Sequence, residues 1–222
     1  GDFMKLVILT FILTTMGGPH LSCAWSHRDG GGILSLEEVK KYFSPLPDSI
    51  IDSTKNKDLI NLGKKLYFEK GLSVNDSISC NSCHRVDNYG VDNEATSPGH
   101  EGKRGSRNSP TSFNAALHST QFWDGRAKDV EEQALGPILN PVEMGMPSEK
   151  VVLNKLKSLD GYILDFKKSF PNENEALTFK NIGIAIGAYE RTLVTHSRFD
   201  KYLKGNESAL SSKEKMGLKK FI

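Results

Sequence analysis

Cys80-Asn81-Ser82-Cys83-His84 is the stretch on which the reading of this chain turns. Two thiols three positions apart, with an imidazole directly after the second, form the arrangement that attaches a c-type haem. The thiols add to the two vinyl groups of the porphyrin, and His84 lies close enough to supply one axial nitrogen to the iron. Two other uses of paired cysteines fit less well. Zinc wants four ligands, and the remaining thiol, Cys23, sits in a segment that reads as removed. A dithiol redox pair should close a βα turn, and no βαβ pattern surrounds these residues.

At 222 residues the chain has room for one large or two small domains. Its 29 basic residues exceed its 27 acids by two, so no field for nucleic acid is implied. The first 24 residues read as an export signal: Lys5 is a basic n-region and Leu6 to Met16 an apolar h-region too short to span a bilayer. Ser22 and Ala24 place the cut after Ala24, Met4 is the expected start, and residues 1–3 form a short remnant ahead of it. A lipoprotein cut before Cys23 is the alternative. Cleavage after Ala24 leaves Cys80 and Cys83 as the thiols of an exported, periplasmic protein with no stable membrane span, both consumed as thioethers.

Outward from the motif, apolar spacing predicts helices and nothing predicts strands of useful length. Ser35 and Glu38 form a capping box for a helix over 36–43, and Leu59, Leu62 and Leu66 mark a stripe over 56–68. A loop rich in Gly, Ser, Asn and Pro fills 85–112, of a length that is usually functional when it is ordered. Helices are expected over 128–135, stopped by Gly136-Pro137, then over 148–158, 162–170 and 179–194. Gly183 and Gly187, four apart, invite close approach of a neighbouring helix. Ser211 and Glu214 open a final helix. The fold class is mostly α, a haem domain with long loops.

The sixth position of the iron separates electron carriers from catalysts. His100, Met144 and Met146 are the candidates. Glu143 stands in the turn Asn140-Pro141-Val142-Glu143-Met144, with no cation at the neighbouring positions. Near an iron such a carboxylate can take a proton from hydrogen peroxide and return it to the leaving oxygen, the more readily if burial moves its pKa toward the working pH. Gln133, ten residues earlier, can orient peroxide or carboxylate. From the residues alone, Glu143 is equally a surface acid.

Taken together, these pieces resemble the bacterial dihaem cytochrome c peroxidases. The matching stretches are Cys80–His84, Ser97-Pro98-Gly99-His100, Arg107-Asn108-Ser109-Pro110-Thr111, Phe122-Trp123-Asp124-Gly125-Arg126, Gln133 with Gly136-Pro137, Val142-Glu143-Met144, Ala188-Tyr189-Glu190 and Phe199-Asp200-Lys201-Tyr202-Leu203. The resemblance implies a cytochrome c-like peroxidatic haem domain over 25–195 and the start of a second, electron-transfer haem domain over 196–222. It makes His84 the proximal ligand and His100 a displaceable distal one. Glu143 and Gln133 become the acid–base pair, with Phe122 lining their pocket, Trp123 the indole on the electron route between haems, and Asn108 part of a calcium site. Hydrogen peroxide would be reduced to water with electrons from a small cytochrome c or a cupredoxin, in a homodimer. The family's second Cys-x-x-Cys-His would begin about where the chain stops at Ile222, so a truncated or fragmentary chain is expected. Two alternatives stay open: a single-haem electron carrier with His84 and Met146 on the iron, and a related dihaem oxidase that modifies protein side chains.

Overall fold

The computed structural model describes residues 32–222; the expected export signal, its cleavage site and Cys23 lie outside the described residues. Among the described residues there are nine α-helices and no strand, and two isolated antiparallel bridges, Pro98 with Arg104 and Gln121 with Ala127, pin loops. No helix of the described residues is long and apolar enough to cross a membrane. The mostly α expectation is met.

The core is built around α7 (Phe179–Glu190), whose residues are nearly all buried. Its start follows from Thr178, whose hydroxyl accepts from the Asn181 N–H at 3.1 Å. α2 (Lys57–Tyr67) lies along one side of α7 and α4 (Val130–Leu139) along another. Small residues set both approaches. A Cβ on Gly63 of α2 would stand 1.8 Å from the Ala185 carbonyl oxygen, and one on Gly183 would stand 2.4 Å from that of Glu131. The Gly183/Gly187 pair therefore does receive a neighbouring helix, α4. α5 (Glu149–Ser158) and α6 (Tyr162–Ser169) close the core with Val152, Leu156, Tyr162 and Phe166, all buried. Burying aliphatic and aromatic side chains of this size contributes about 1.5–3 kcal/mol each.

Three helix boundaries differ from the sequence expectation. The first helix, α1, is regular over Leu36–Val39 and relaxes into turns that end with the Phe43 N–H on the Val39 carbonyl. α4 runs through Gly136-Pro137 instead of stopping there. Pro137 gives no N–H to the Gln133 carbonyl, but the carbonyls of Pro137 and Ile138 accept from the N–H groups of Met144 and Met146, which bind the exit of the helix to the turn behind it. α7 ends at Glu190 because Asn114 captures the chain beyond it, taking the Thr195 N–H at 2.8 Å while its own N–H donates to Leu193.

A second, smaller core joins α1 to α8 (Arg198–Leu203) and α9 (Ser212–Phe221) through Val39, Tyr202 and Leu203, with Phe43, Phe199 and Leu218 against them. Ser197 and Asp200 cap α8, as Ser211 and Glu214 cap α9. The segment around α1 thus packs with residues beyond 196, across the domain boundary that the resemblance implies at 195.

Candidate functional site

The attachment motif forms one helical turn, α3 (Cys80–Cys83), which brings both sulfurs to the wall of a cavity of about 410 Å³. Cys80 and Cys83 are not bridged. Burial pushes the Cys80 thiol up to about 12 and the Cys83 thiol upward as well, the opposite of the lowered pKa that makes a reactive redox or metal-binding thiolate. No cluster of three metal-holding His, Cys, Asp or Glu side chains stands among the described residues.

His84 follows the turn. Its Nδ1 lies 2.9 Å from the Pro110 carbonyl, an oxygen that can only accept, so Nδ1 carries the proton and Nε2 keeps its lone pair. Burial lowers the pKa of the ring, which favours the neutral, ligating form. The backbone here is held by Tyr67, buried in α2, whose hydroxyl donates to the His84 carbonyl at 2.7 Å and sits 3.1 Å from the Ser112 hydroxyl. Asp92, which sequence reasoning passed over, buries one carboxylate oxygen without a partner and acts electrostatically on His84.

The catalytic candidates line the same cavity. Gln133 projects from α4, and Glu143 comes from the turn that follows it. Asn140 donates to Glu143 Oε1 at 2.8 Å, leaving Oε2 without a hydrogen bond. Burial raises the Glu143 pKa, and the positive charge of Arg126 opposes that rise. Sequence neighbours supply no cation to Glu143; the fold brings one from a separate loop. Arg126 also lies over the Phe122 ring at 3.4 Å and pairs with Asp124 at 2.8 Å. Asp124 binds Arg107 as well, and the two guanidinium groups hold its pKa down at about 2. Phe122 has φ +64°, a strained value for an aromatic residue. Its ring reaches Gly136, where a Cβ would stand 3.3 Å away.

The remaining expected residues are distributed less simply. Trp123 is 63% exposed, its Nε1 donating to the Asn108 carbonyl at 2.8 Å. The Asn108 amide nitrogen donates to the Glu94 carbonyl, which leaves Oδ1 as its available acceptor. Met146 is buried in the core away from the cavity wall, whereas Met144 reaches the wall. His100 does not line the cavity in this conformation. Its N–H donates to the Glu143 carbonyl at 2.7 Å, its ring rests where a Gly145 side chain would be, and its Nδ1 is buried without a partner.

These residues fit a haem. Two unbridged thiols from one turn, a neutral imidazole with Nε2 free, and an apolar lining from Ile78, Ala134 and Pro137 supply attachment, one axial bond and a low-polarity wall. Glu190, named by sequence only within a three-residue match, proves to line the cavity too.

A family model described as "Di-haem cytochrome c peroxidase" matches residues 57–208. The cytochrome c551 peroxidase of Pseudomonas aeruginosa is 45% identical over 190 residues, covering 84% of this chain and 55% of the relative. The cytochrome c551 peroxidase of Nitrosomonas europaea is 44% identical over 167 residues, covering 75% of this chain and 49% of the relative. Among solved structures, a MauG-like protein associated with microbial copper homeostasis superposes with a TM-score of 0.65 at 29% identity, over 75% of this chain and 49% of its own. The chain thus spans about half the length of the relatives it matches.

Proposed function

The chain belongs to the di-haem cytochrome c peroxidase family, and from that premise we propose that it forms the peroxide-reducing haem domain of a hydrogen peroxide reductase. One observation carries this reading: Glu143, half-buried with Oε2 free, lines the same cavity as Cys80, Cys83 and His84. It stands near enough to Cys83 for its charge to raise that thiol's pKa.

Cys80 and Cys83 would hold the haem by thioether bonds, and His84 Nε2 would bind its iron. When bound, the haem supplies the electrons and the Lewis-acid site at which the O–O bond of peroxide breaks. Glu143 Oε2 would take the proton from the near oxygen of hydrogen peroxide and return it to the far oxygen, which leaves as water; the near oxygen becomes the second water with two electrons from the donor protein and two protons from solvent. Asn140 fixes the carboxylate through Oε1, and the charge of Arg126 opposes the rise in its pKa, which favours the ionised form that acts first as a base. Gln133 orients the peroxide from α4. Phe122, clamped between Arg126 and Gly136, limits water at the site.

His100 is proposed as the distal ligand of a resting state, with the conformation described above corresponding to an opened site. The His100 N–H on the Glu143 carbonyl couples the two positions. Trp123 is proposed as the electron entry and Asn108 Oδ1 as one oxygen of a calcium site. The electron donor would be a small cytochrome c or a cupredoxin, the location the periplasm, and the assembly a homodimer with a second haem domain from about residue 196 onward. A related dihaem oxidase that modifies protein side chains is the second reading, favoured by the position of His100 off the cavity wall.

Glu143→Gln in the full-length protein tests the proposal. Peroxide turnover is expected to fall by about 10²–10⁴-fold with haem attachment intact. Wild-type turnover in that variant would remove Glu143 from the mechanism.

A further inference from the structure

Glu190 is a buried acid that the peroxide chemistry does not use. It closes α7, is 7% exposed and lines the cavity. No hydrogen bond reaches its carboxyl. The neighbouring guanidinium is already engaged: Arg191 gives Nε and Nη2 to the two oxygens of Glu131 at 2.8 and 2.9 Å. Glu131 in turn occupies the space left by Gly187, with a glycine Cβ position 2.7 Å from its carboxyl carbon. The fold therefore places a second carboxylate beside Glu190 and commits the compensating cation to that second carboxylate.

The groups facing Glu190 are few. α4 presents Glu131, which repels its anion, and the end of α7 presents Arg191, which favours it. Cys80 from α3, Tyr67 from α2 and Tyr189 from α7 all feel its negative charge. No charge from α5 or from the Ala115–Leu117 turn acts on it. Burial and Glu131 push Glu190 up to about 8, so its proton is in balance near neutral pH. Cys80 is a haem attachment point, so this carboxyl borders the group that gains and loses electrons. Adding an electron to a site of low dielectric makes an adjacent buried carboxylate more costly, and a proton taken from solvent removes that cost.

We propose that Glu190 binds one proton when the haem held by Cys80, Cys83 and His84 is reduced and releases it when that haem is oxidised, so that electron entry at this haem is coupled to a proton. The electron comes from the one-electron donor protein and converts ferric to ferrous iron. The proton comes from solvent and forms an O–H bond on the Glu190 carboxylate; no other bond forms or breaks. The inference rests on haem attachment at this motif and not on the peroxide chemistry.

The test is a spectroelectrochemical titration of this haem in the full-length, haem-loaded protein between about pH 6 and pH 9. In the wild type the midpoint potential should fall with pH, approaching a tenfold change in the reduction equilibrium per pH unit, about 59 mV for one electron. Glu190→Gln, neutral at every pH, should lose that slope and hold the wild-type value of the acid end throughout. Glu190→Asp should restore a slope. A flat wild-type potential over this range, or an unchanged slope in Glu190→Gln, overturns the proposal. If the substituted proteins do not fold, the redox-difference infrared spectrum of the wild type decides: a protonated-carboxyl band gained on reduction supports the proposal and its absence overturns it. A chain carrying no covalent haem would overturn the attachment reading and this inference together.

Discussion

Glu143 and Glu190 are two carboxyls on the wall of one cavity, both with pKa values raised by burial, yet their surroundings differ in sign. Glu143 has an amide on one oxygen and the charge of Arg126 within reach. Glu190 has a second carboxylate beside it and no hydrogen bond. In the proposed scheme the first environment holds a carboxylate in place, as a base must be held, and the second stores a proton. Two acids in one haem cavity can thus serve different proton transfers because the fold assigns their neighbours separately.

The largest expected contrast lies in turnover. Glu143→Gln should lose about 10²–10⁴-fold in peroxide reduction, whereas Glu190→Gln should keep by far the greater share. Equal losses measured under saturating donor would erase the distinction.

A smaller contrast lies in stability. The folded pKa of Glu190, about 8, is above its ordinary 4.5, so between those values the native state holds a proton that the unfolded chain releases. Fewer protons on the unfolded state give stability a negative slope with pH. The stabilisation is fully present below about pH 4.5 and is lost as pH rises through about 8, by on the order of a few kcal/mol. Denaturant unfolding across that window should show the decline in the wild type and a flatter profile in Glu190→Gln. A decline of equal size in both would assign it to other groups.

The smallest contrast concerns Arg126. Its replacement by Gln removes the cation that opposes the rise in the Glu143 pKa, so the acid limb of the pH–rate profile should move to higher pH. The same change should leave the stability profile assigned to Glu190 in place, since Arg126 does not act on Glu190. An unmoved acid limb would show that Arg126 serves Phe122 rather than Glu143.

What could be seen in the sequence was what depends on near neighbours along the chain. Cys80, Cys83 and His84 lie within five positions, and the caps at Ser148, Thr178 and Ser211 act within one turn, so both the attachment site and most helix starts were legible. Glu143 and Gln133 stood out because a turn and a helix place them ten residues apart. The cation serving Glu143 was not legible, since Arg126 arrives from a loop whose register is set by the Gln121–Ala127 bridge. The isolation of Glu190 was not legible either: it follows from Arg191 turning to Glu131, 60 residues away, through space opened at Gly187. α4 was cut short at Pro137 because the hydrogen bonds from Met144 and Met146 that hold its exit are tertiary. The position of His100 off the cavity wall is likewise set by contacts with Glu143 and Gly145 that no local pattern encodes.

The separation of the two acids is tested most directly by the midpoint potential of this haem in Glu143→Gln, followed against pH. The slope should persist, still approaching about 59 mV per pH unit, in a protein that has lost peroxide turnover. A flat potential in that variant would show that Glu143 carries the redox-linked proton and that the cavity does not divide the work between its two carboxyls.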